Sequence, residues 1–334
     1  MKHFAITGAV LASFTSPSTA HAETTQWTMA YLGLAGTIYE EVALAVPDRI
    51  AAATDGKLVI TPNSSILKGN RYLEGVRDGA VQMSLVVAAY YTGSEPLFTV
   101  PSIPGISESF DDLKALSASE WGEEFRATFE TEYNSILVMQ SAFCPQTLFS
   151  TVPITTLEEW DGRKLRVNNR GMGLVGAELG ATTVSLSASE VLPALERGVI
   201  EGVITDSCWA LGAGFNSVVT NASNWRLGSV LPAPLVVNKD AWDALPDDVR
   251  EAAAAEFAAI EAEFELKWRE REAALPDMWR EAGVTFDEIT DAEMERAYDE
   301  RLVGKVIEAW REDMDRVGLD TDATLSIARE AVAK

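Results

Sequence analysis

The chain has 334 residues, 47% hydrophobic and 23% charged, with a formal net charge of −24. So acidic a balance is a poor footprint for nucleic acid or an anionic membrane surface, both of which recruit clustered Lys and Arg. The only histidines are His3 and His21; both fall in the leader described next. The chain that follows therefore lacks Ser-His-Asp and Cys-His nucleophiles, HExxH zinc sites and imidazole acid–base chemistry.

The first 22 residues read as a secretory leader. Lys2 supplies the positive end, Phe4 to Phe14 a short apolar stretch, and Ala20-His21-Ala22 an A-x-A cleavage site. That stretch is too short to span a bilayer, which takes roughly 20 residues. Cleavage after Ala22 places the mature protein in the periplasm or outside the cell, with no insertion into the membrane. Removal of Lys2 takes the net charge to −25.

From there short apolar strands alternate with longer amphipathic helices, the pattern of an α/β architecture with mainly parallel sheets. The spacing predicts strands at 27–32, 57–61, 83–89 and 135–140, with helices at 38–54, 70–77 and 111–132. Further on it predicts strands at 164–167, 183–186 and 203–205. Helices are expected at 172–179, from the Ser187-x-x-Glu190 capping box to before Gly198, and near 209–219. Pro246 opens a long helix whose apolar face runs Val249, Ala253, Phe257, Ile260, Phe264, Trp268, Arg271, Leu275. Such a length fits a brace across two lobes better than a coiled coil, because the seam includes a charged residue. Thr290-x-x-Glu293 caps a last helix carrying Met294, Tyr298, Leu302, Val306, Trp310 and Met314 on one side.

Several motifs carry little. Asp313, Asp315 and Gly318 fit positions 1, 3 and 6 of a calcium loop, but Val317 and Thr324 occupy ligand positions they cannot serve. Cys144 and Cys208 lack CxxC spacing and cannot build a four-ligand zinc site, so no metal or cofactor is indicated. In an oxidising compartment they pair or remain two buried thiols; separation alone does not decide.

The informative stretch runs from Cys144 to Trp209. In Asp161-Gly-Arg-Lys-Leu-Arg166-Val-Asn-Asn169 a turn feeds a strand that puts Lys164 and Arg166 on one face. A buried guanidinium needs a partner, and its fork suits a carboxylate. Spacing leaves two readings open: an internal ion pair, or a clamp on a ligand anion.

"GRKLRVNN…LGATTVSLSASEVLPALERGVIEGVIT" resembles the signature of solute receptors of tripartite ATP-independent periplasmic (TRAP) transporters. "ATDGKLVITPNSSIL" and "NKDAWDALPDDVREA" are similar to two further segments of that DctP-like family, in matching order. The resemblance implies a two-lobed periplasmic binding protein fold, type II-like, with a hinge and a long helix spanning both lobes. It implies a first lobe of 23–143 with 233–272 and a second of 144–232 with 273–334. It further implies that Arg166 pairs with the carboxylate of a small organic acid, and that membrane permease subunits are the partners. Gln146 stands where some members carry a second arginine, and Val87 where some carry an acid, which favours a monocarboxylate or a hydroxy or keto acid. Thr205 matches a pocket-lining position. On local grounds Asn168 (with Asn169 beside it), Tyr31, Tyr90 and Trp209 join the candidate ligand set, whereas Phe143 and Phe149 read as structural. The chain is expected to be no enzyme; the rival readings are an exported carboxylate-dependent hydrolase or lyase, and a binding module for a chemoreceptor.

Overall fold

The structure, a computed structural model, describes residues 24–68, 70–227, 230–298 and 303–333. The expected leader, 1–22, and Leu302 of the expected last helix lie outside the described residues. The first half runs β1 (Thr25–Ala30), α1 (Ile38–Ala53), β2 (Leu58–Asn63), α2 (Tyr72–Arg77), β3 (Met83–Leu85), α3 (Phe110–Ser117), α4 (Glu120–Tyr133) and β4 (Ser135–Ala142). Then come β5 (Gln146–Ser150), β6 (Lys164–Val167), α5 (Arg170–Glu178), β7 (Thr182–Ser185), α6 (Ala188–Glu196), β8 (Gly202–Asp206), α7 (Ser207–Gly212) and β9 (Asn221–Asn224). The chain ends with β10 (Pro232–Asn238), α8 (Lys239–Asp243), α9 (Asp247–Glu281), β11 (Thr285–Glu288), α10 (Asp291–Ala297), α11 (Val303–Arg316) and α12 (Thr321–Val332).

These strands form two sheets, in the orders β2-β1-β3-β10-β4 and β11-β9-β5-β8-β6-β7. Most neighbours are parallel, but β10 runs antiparallel to β3 and β4, and β5 antiparallel to β8 and β9. Each sheet with its helices is one lobe, giving the two-lobed α/β fold expected from the sequence. The chain passes between sheets from β4 to β5, from β9 to β10, and through α9 to β11.

The 35-residue α9 is about 50 Å long at 1.5 Å per residue. Its buried face holds every apolar seam residue foreseen, plus Trp279. In the first lobe Arg49 of α1 pairs with Glu256 and Glu263, and Phe110 stacks on Trp268 with centroids 6.1 Å apart. At the other end Trp279 packs on Phe149 of β5 at 4.4 Å. Arg271, the polar member of the seam, donates to the Gly36 carbonyl and pairs with Glu41. The helix therefore braces both lobes.

Some boundaries differ from the sequence reading. The 111–132 segment is two helices, because Ser119 takes extended backbone and starts α4 afresh. The 83–89 strand ends at Leu85 and becomes a 3-10 turn over Ala88–Tyr91. The segment around Trp209 is α7 followed by a 3-10 turn over Phe215–Ser217, separated by Gly214 at a φ of +80°. Residues 303–332 were expected in the second lobe, but Trp310, Met314, Leu325 and Ala328 are buried with Phe98, Trp121 and Phe129 of the first. Helix α11 thus touches both lobes, with Val306 buried among Leu157 and Met172 of the second and Lys305 paired with Glu178, while α12 packs on the first. Asp313 lies inside helix α11 and pairs with Arg170 and Arg316, so the calcium-loop spacing is a helix and not a loop.

Candidate functional site

The carboxyl ends of β1, β3, β6, β7 and β8 point toward the junction of the lobes, the place where open α/β sheets bind ligands. A cavity sits there. Its apolar wall is Leu34, Val87, Ala89, Phe143, Ala188 and Leu231; its polar groups come from Tyr90, Gln146, Arg166, Asn168, Thr205, Asp206 and the indole of Trp209. The cavity shares Ala89, Tyr90, Arg166, Asn168 and Ala188 with a broader groove that also touches Asn70, Thr92, Asn169 and Ser187. Six of the seven sequence-chosen residues, Arg166, Gln146, Asn168, Thr205, Trp209 and Tyr90, thus meet at one place. Tyr31 does not line it. Its amide continues the β1–β2 pairing through the Asn63 carbonyl, and its ring is buried in the apolar core.

Arg166 is 2% exposed. Its Nε and Nη2 donate to the Leu186 carbonyl at 3.1 and 2.9 Å, and Nη1 reaches Thr205 Oγ1 at 3.5 Å. The Trp209 ring lies 5.9 Å from Cζ. Among the described residues no carboxylate pairs with it. Burial accordingly pulls the guanidinium below its ordinary value, with Tyr90 acting the other way. The Leu186 carbonyl holds one edge of the fork and leaves the Nη1 edge toward the cavity. A buried cation with no protein anion is costly, and an anion delivered into the cavity removes the cost.

The other polar groups are held from behind. Asn168 Nδ2 donates to Gln146 Oε1 at 2.8 Å, and Asn169 Nδ2 donates to Asn168 Oδ1 at 2.8 Å. Asp206 caps α7, accepting from the Trp209 amide at 2.6 Å, while its second oxygen has no hydrogen-bond partner among the described residues. Burial pushes this carboxyl up to about 7, against the lowering effect of the Trp209, Cys144 and Cys208 amides. Cys144 and Cys208 form a disulfide with Cα atoms 5.8 Å apart, joining the start of β5 to α7 beside the cavity. Both sulfurs lie near Asp206, but in a disulfide neither is a thiolate ligand for a metal.

Nothing in this wall pairs a nucleophile with a base; what it presents is one unpaired cation among hydrogen-bonding groups and apolar surface. A family model described as bacterial extracellular solute-binding protein, family 7 (DctP) matches residues 32–310. The chain belongs to the DctP family. That family is one of solute-binding proteins acting outside the cytoplasm in transport, and no helix of the described residues is long and apolar enough to cross a membrane.

Among curated DctP-family relatives, the chain is 29% identical to the C4-dicarboxylate-binding periplasmic protein DctP of Rhodobacter capsulatus, over 80% of each. It is 24% identical to a solute-binding protein of Albidiferax ferrireducens over 73% of this chain and 72% of the other. Its fold is similar to that of DctP7, an extracytoplasmic solute receptor of Bordetella pertussis that binds pyroglutamic acid. There the TM-score is 0.82 at 22% identity, covering 92% of this chain and all of the other. A TRAP periplasmic protein of Ralstonia eutropha with bound (S)-2-acetolactate matches with a TM-score of 0.81 at 20% identity, over 92% and 98%.

The sequence reading of this DctP-family site missed Leu34, Ala89, Ala188, Leu231 and Asp206, and placed Phe143 with the structural residues. Phe143 stacks on Tyr39 at 5.1 Å and also lines the cavity. Small and aliphatic wall residues leave no mark that separates them from core. Asp206 did leave one: an Asp directly after a buried strand and three residues before an apolar helix residue is a cap at a strand's carboxyl end.

Proposed function

We propose that this protein is the periplasmic receptor of a TRAP-type secondary transporter, exported by a leader cut after Ala22. It captures a small organic acid with one carboxylate, a hydroxy, keto or lactam acid, by closing two lobes around it. The lobes are residues 23–143 with 233–272, and 144–232 with the segment through α10, with α11 lying across both and α12 packed on the first. The observation that carries this reading is Arg166, buried in the interlobe wall with no carboxylate partner among the described residues. Gln146 supports a single carboxylate, because the cavity has one cation and an amide where a dicarboxylate asks for a second charge. Two of the similar receptors bind acids of this chemistry, pyroglutamate and acetolactate, whereas the Rhodobacter capsulatus relative is named for C4-dicarboxylates and another similar receptor holds malonate. The closed form then docks on membrane permease subunits.

Micromolar capture corresponds to about −8 kcal/mol, and one charge-assisted hydrogen bond contributes roughly 1.5–3 kcal/mol. Arg166 orients the anion; burial of the rest of the ligand against Val87, Phe143 and Trp209 has to supply much of the remainder. A thermal-shift screen of mono- and dicarboxylates, with mass spectrometry of co-purified ligand, tests the class. Monocarboxylates bearing a second oxygen should raise Tm. Stabilisation by C4-dicarboxylates alone would refute the class, and turnover of the bound acid would refute the receptor reading.

A further inference from the structure

The side-chain amides that line the cavity are linked in one direction. Asn169 is the N-cap of α5: its Oδ1 accepts from the Met172 backbone N–H at 2.9 Å. A backbone N–H only donates, so that oxygen is fixed, and the other terminus of the Asn169 amide has to be the NH₂ group. That NH₂ donates to Asn168 Oδ1, which fixes Asn168 in turn, and Asn168 Nδ2 donates to Gln146 Oε1. Gln146 is 2% exposed and lines the cavity, and its own NH₂ has no hydrogen-bond partner among the described residues. The usual ambiguity of amide orientation is removed here, because every link is set by the one before it.

Resting on the receptor reading above, we infer that Asn169 is a positioning residue which, through Asn168, holds Gln146 with its N–H donors toward the ligand, so that the site selects acids carrying a hydrogen-bond acceptor oxygen beside the carboxylate. A keto or lactam carbonyl meets this requirement fully, since it only accepts. Donor-only groups such as an ammonium do not meet it. The helix cap thereby sets ligand selectivity from outside the cavity wall: Asn169 borders the outer groove but does not line the cavity itself.

Asn169→Asp inverts the relay while keeping an equally good cap. An aspartate at this position has no N–H to offer, so Asn168 turns its NH₂ toward it, Gln146 turns its NH₂ toward Asn168, and a carbonyl faces the cavity. Calorimetric titrations with 2-oxobutanoate, an acceptor beside the carboxylate, and 2-hydroxybutanoate, which can also donate, read the inversion. Asn169→Asp should weaken 2-oxobutanoate relative to 2-hydroxybutanoate by tenfold or more, with Tm unchanged. A merely electrostatic effect of the added charge would weaken both acids alike and leave their ratio fixed, which would overturn the inference. Gln146→Glu, which leaves the helix cap untouched, should likewise lose 2-oxobutanoate preferentially; retained affinity would also overturn it. The Gln146 side-chain NH₂ resonances, identified by their loss in Gln146→Glu, should shift when 2-oxobutanoate is added to the wild-type protein. Wild-type protein that binds neither these acids nor any acid of the thermal-shift screen, or an Arg166→Ala variant that binds both undiminished, would sink the receptor reading instead. An unchanged ratio in Asn169→Asp beside lost binding in Arg166→Ala would sink the relay alone.

Discussion

Arg166 and Asp206 stand in the same cavity wall, and burial acts on both by disfavouring charge. For Arg166 the consequence is a cation held ready for an anion. For Asp206 it is a carboxyl that stays protonated to about 7. An unfolded aspartate loses its proton near 3.9, so between about pH 4 and 7 the native state binds more protons than the unfolded state. Native stability therefore falls as pH rises through that window, and levels off above it. Arg271 is the cation whose field opposes this shift. An asparagine in place of Asp206 is isosteric, caps a helix equally well and does not titrate. Asp206→Asn should accordingly gain stability relative to wild type as pH goes from 4.5 to 7.5, by an amount on the order of 2 kcal/mol. A pH-independent difference in Tm between the two proteins would show that Asp206 titrates normally. At this scale the sequence was legible where residue type is scarce: a single arginine on a buried strand stands out. Leu34 and Leu231 could not be found, because a leucine lining a cavity and a leucine filling a core follow the same periodicity. Tyr31 misled for the same reason, since a phenol after a strand faces cleft or core according to a pleat that the pattern does not fix.

Elements are read well where their pattern is long. The seam of α9 and the capping boxes at Ser187 and Thr290 lie where the sequence puts them. Strand β10 could not be recognised, because Pro232 and Pro234 argue against a central strand. The structure accommodates them because the β3 register covers only Leu235–Val237, and beyond it Pro234 gives that side only its carbonyl, which accepts from the Val86 N–H at 2.9 Å. The cysteines were open between a bridge and two thiols; only the β4–β5 crossing brings Cys144 to the head of α7. Their disulfide closes a separation of 64 residues and ties the crossing segment to the second lobe. Loop-closure entropy assigns such a link about 4 kcal/mol. Replacing both cysteines by serine should lower the unfolding free energy by about 2–4 kcal/mol and the denaturant midpoint with it, the slope rising as the denatured state loses its crosslink. Equal midpoints for the oxidised protein and the double serine variant would mean the bridge contributes no stability.

Across the whole molecule, the two lobes meet backbone to backbone. Gly36 follows β1 with φ at +84°, and Gly212 ends α7; a Cβ built on Gly212 would lie 2.1 Å from the Ala35 carbonyl oxygen. Arg271 of the bracing helix holds the Gly36 carbonyl in the same place. In the receptor proposed above, whose lobes open and close, this approach requires glycine at Gly212 only in the closed state. Gly212→Ala should fold at least as well in the ligand-free state, since alanine favours helix over glycine by roughly 1 kcal/mol. It should nevertheless bind acid at least tenfold more weakly, and small-angle scattering should show no compaction on adding ligand. Wild-type affinity in that variant would mean that the Gly36–Gly212 contact is not part of ligand capture. Two lobes and an interlobe brace were foreseen, whereas this contact was not, because nothing in either segment indicates which glycine of the other lobe it will meet.

In the proposed receptor, the buried guanidinium of Arg166 holds the carboxylate of the transported acid. Isothermal titration of wild type and Arg166→Ala with the acid that most raises wild-type Tm tests it directly, with circular dichroism to confirm that both are folded. Wild type should bind one-to-one, and the folded variant should give no measurable heat. Undiminished affinity in Arg166→Ala would contradict that role.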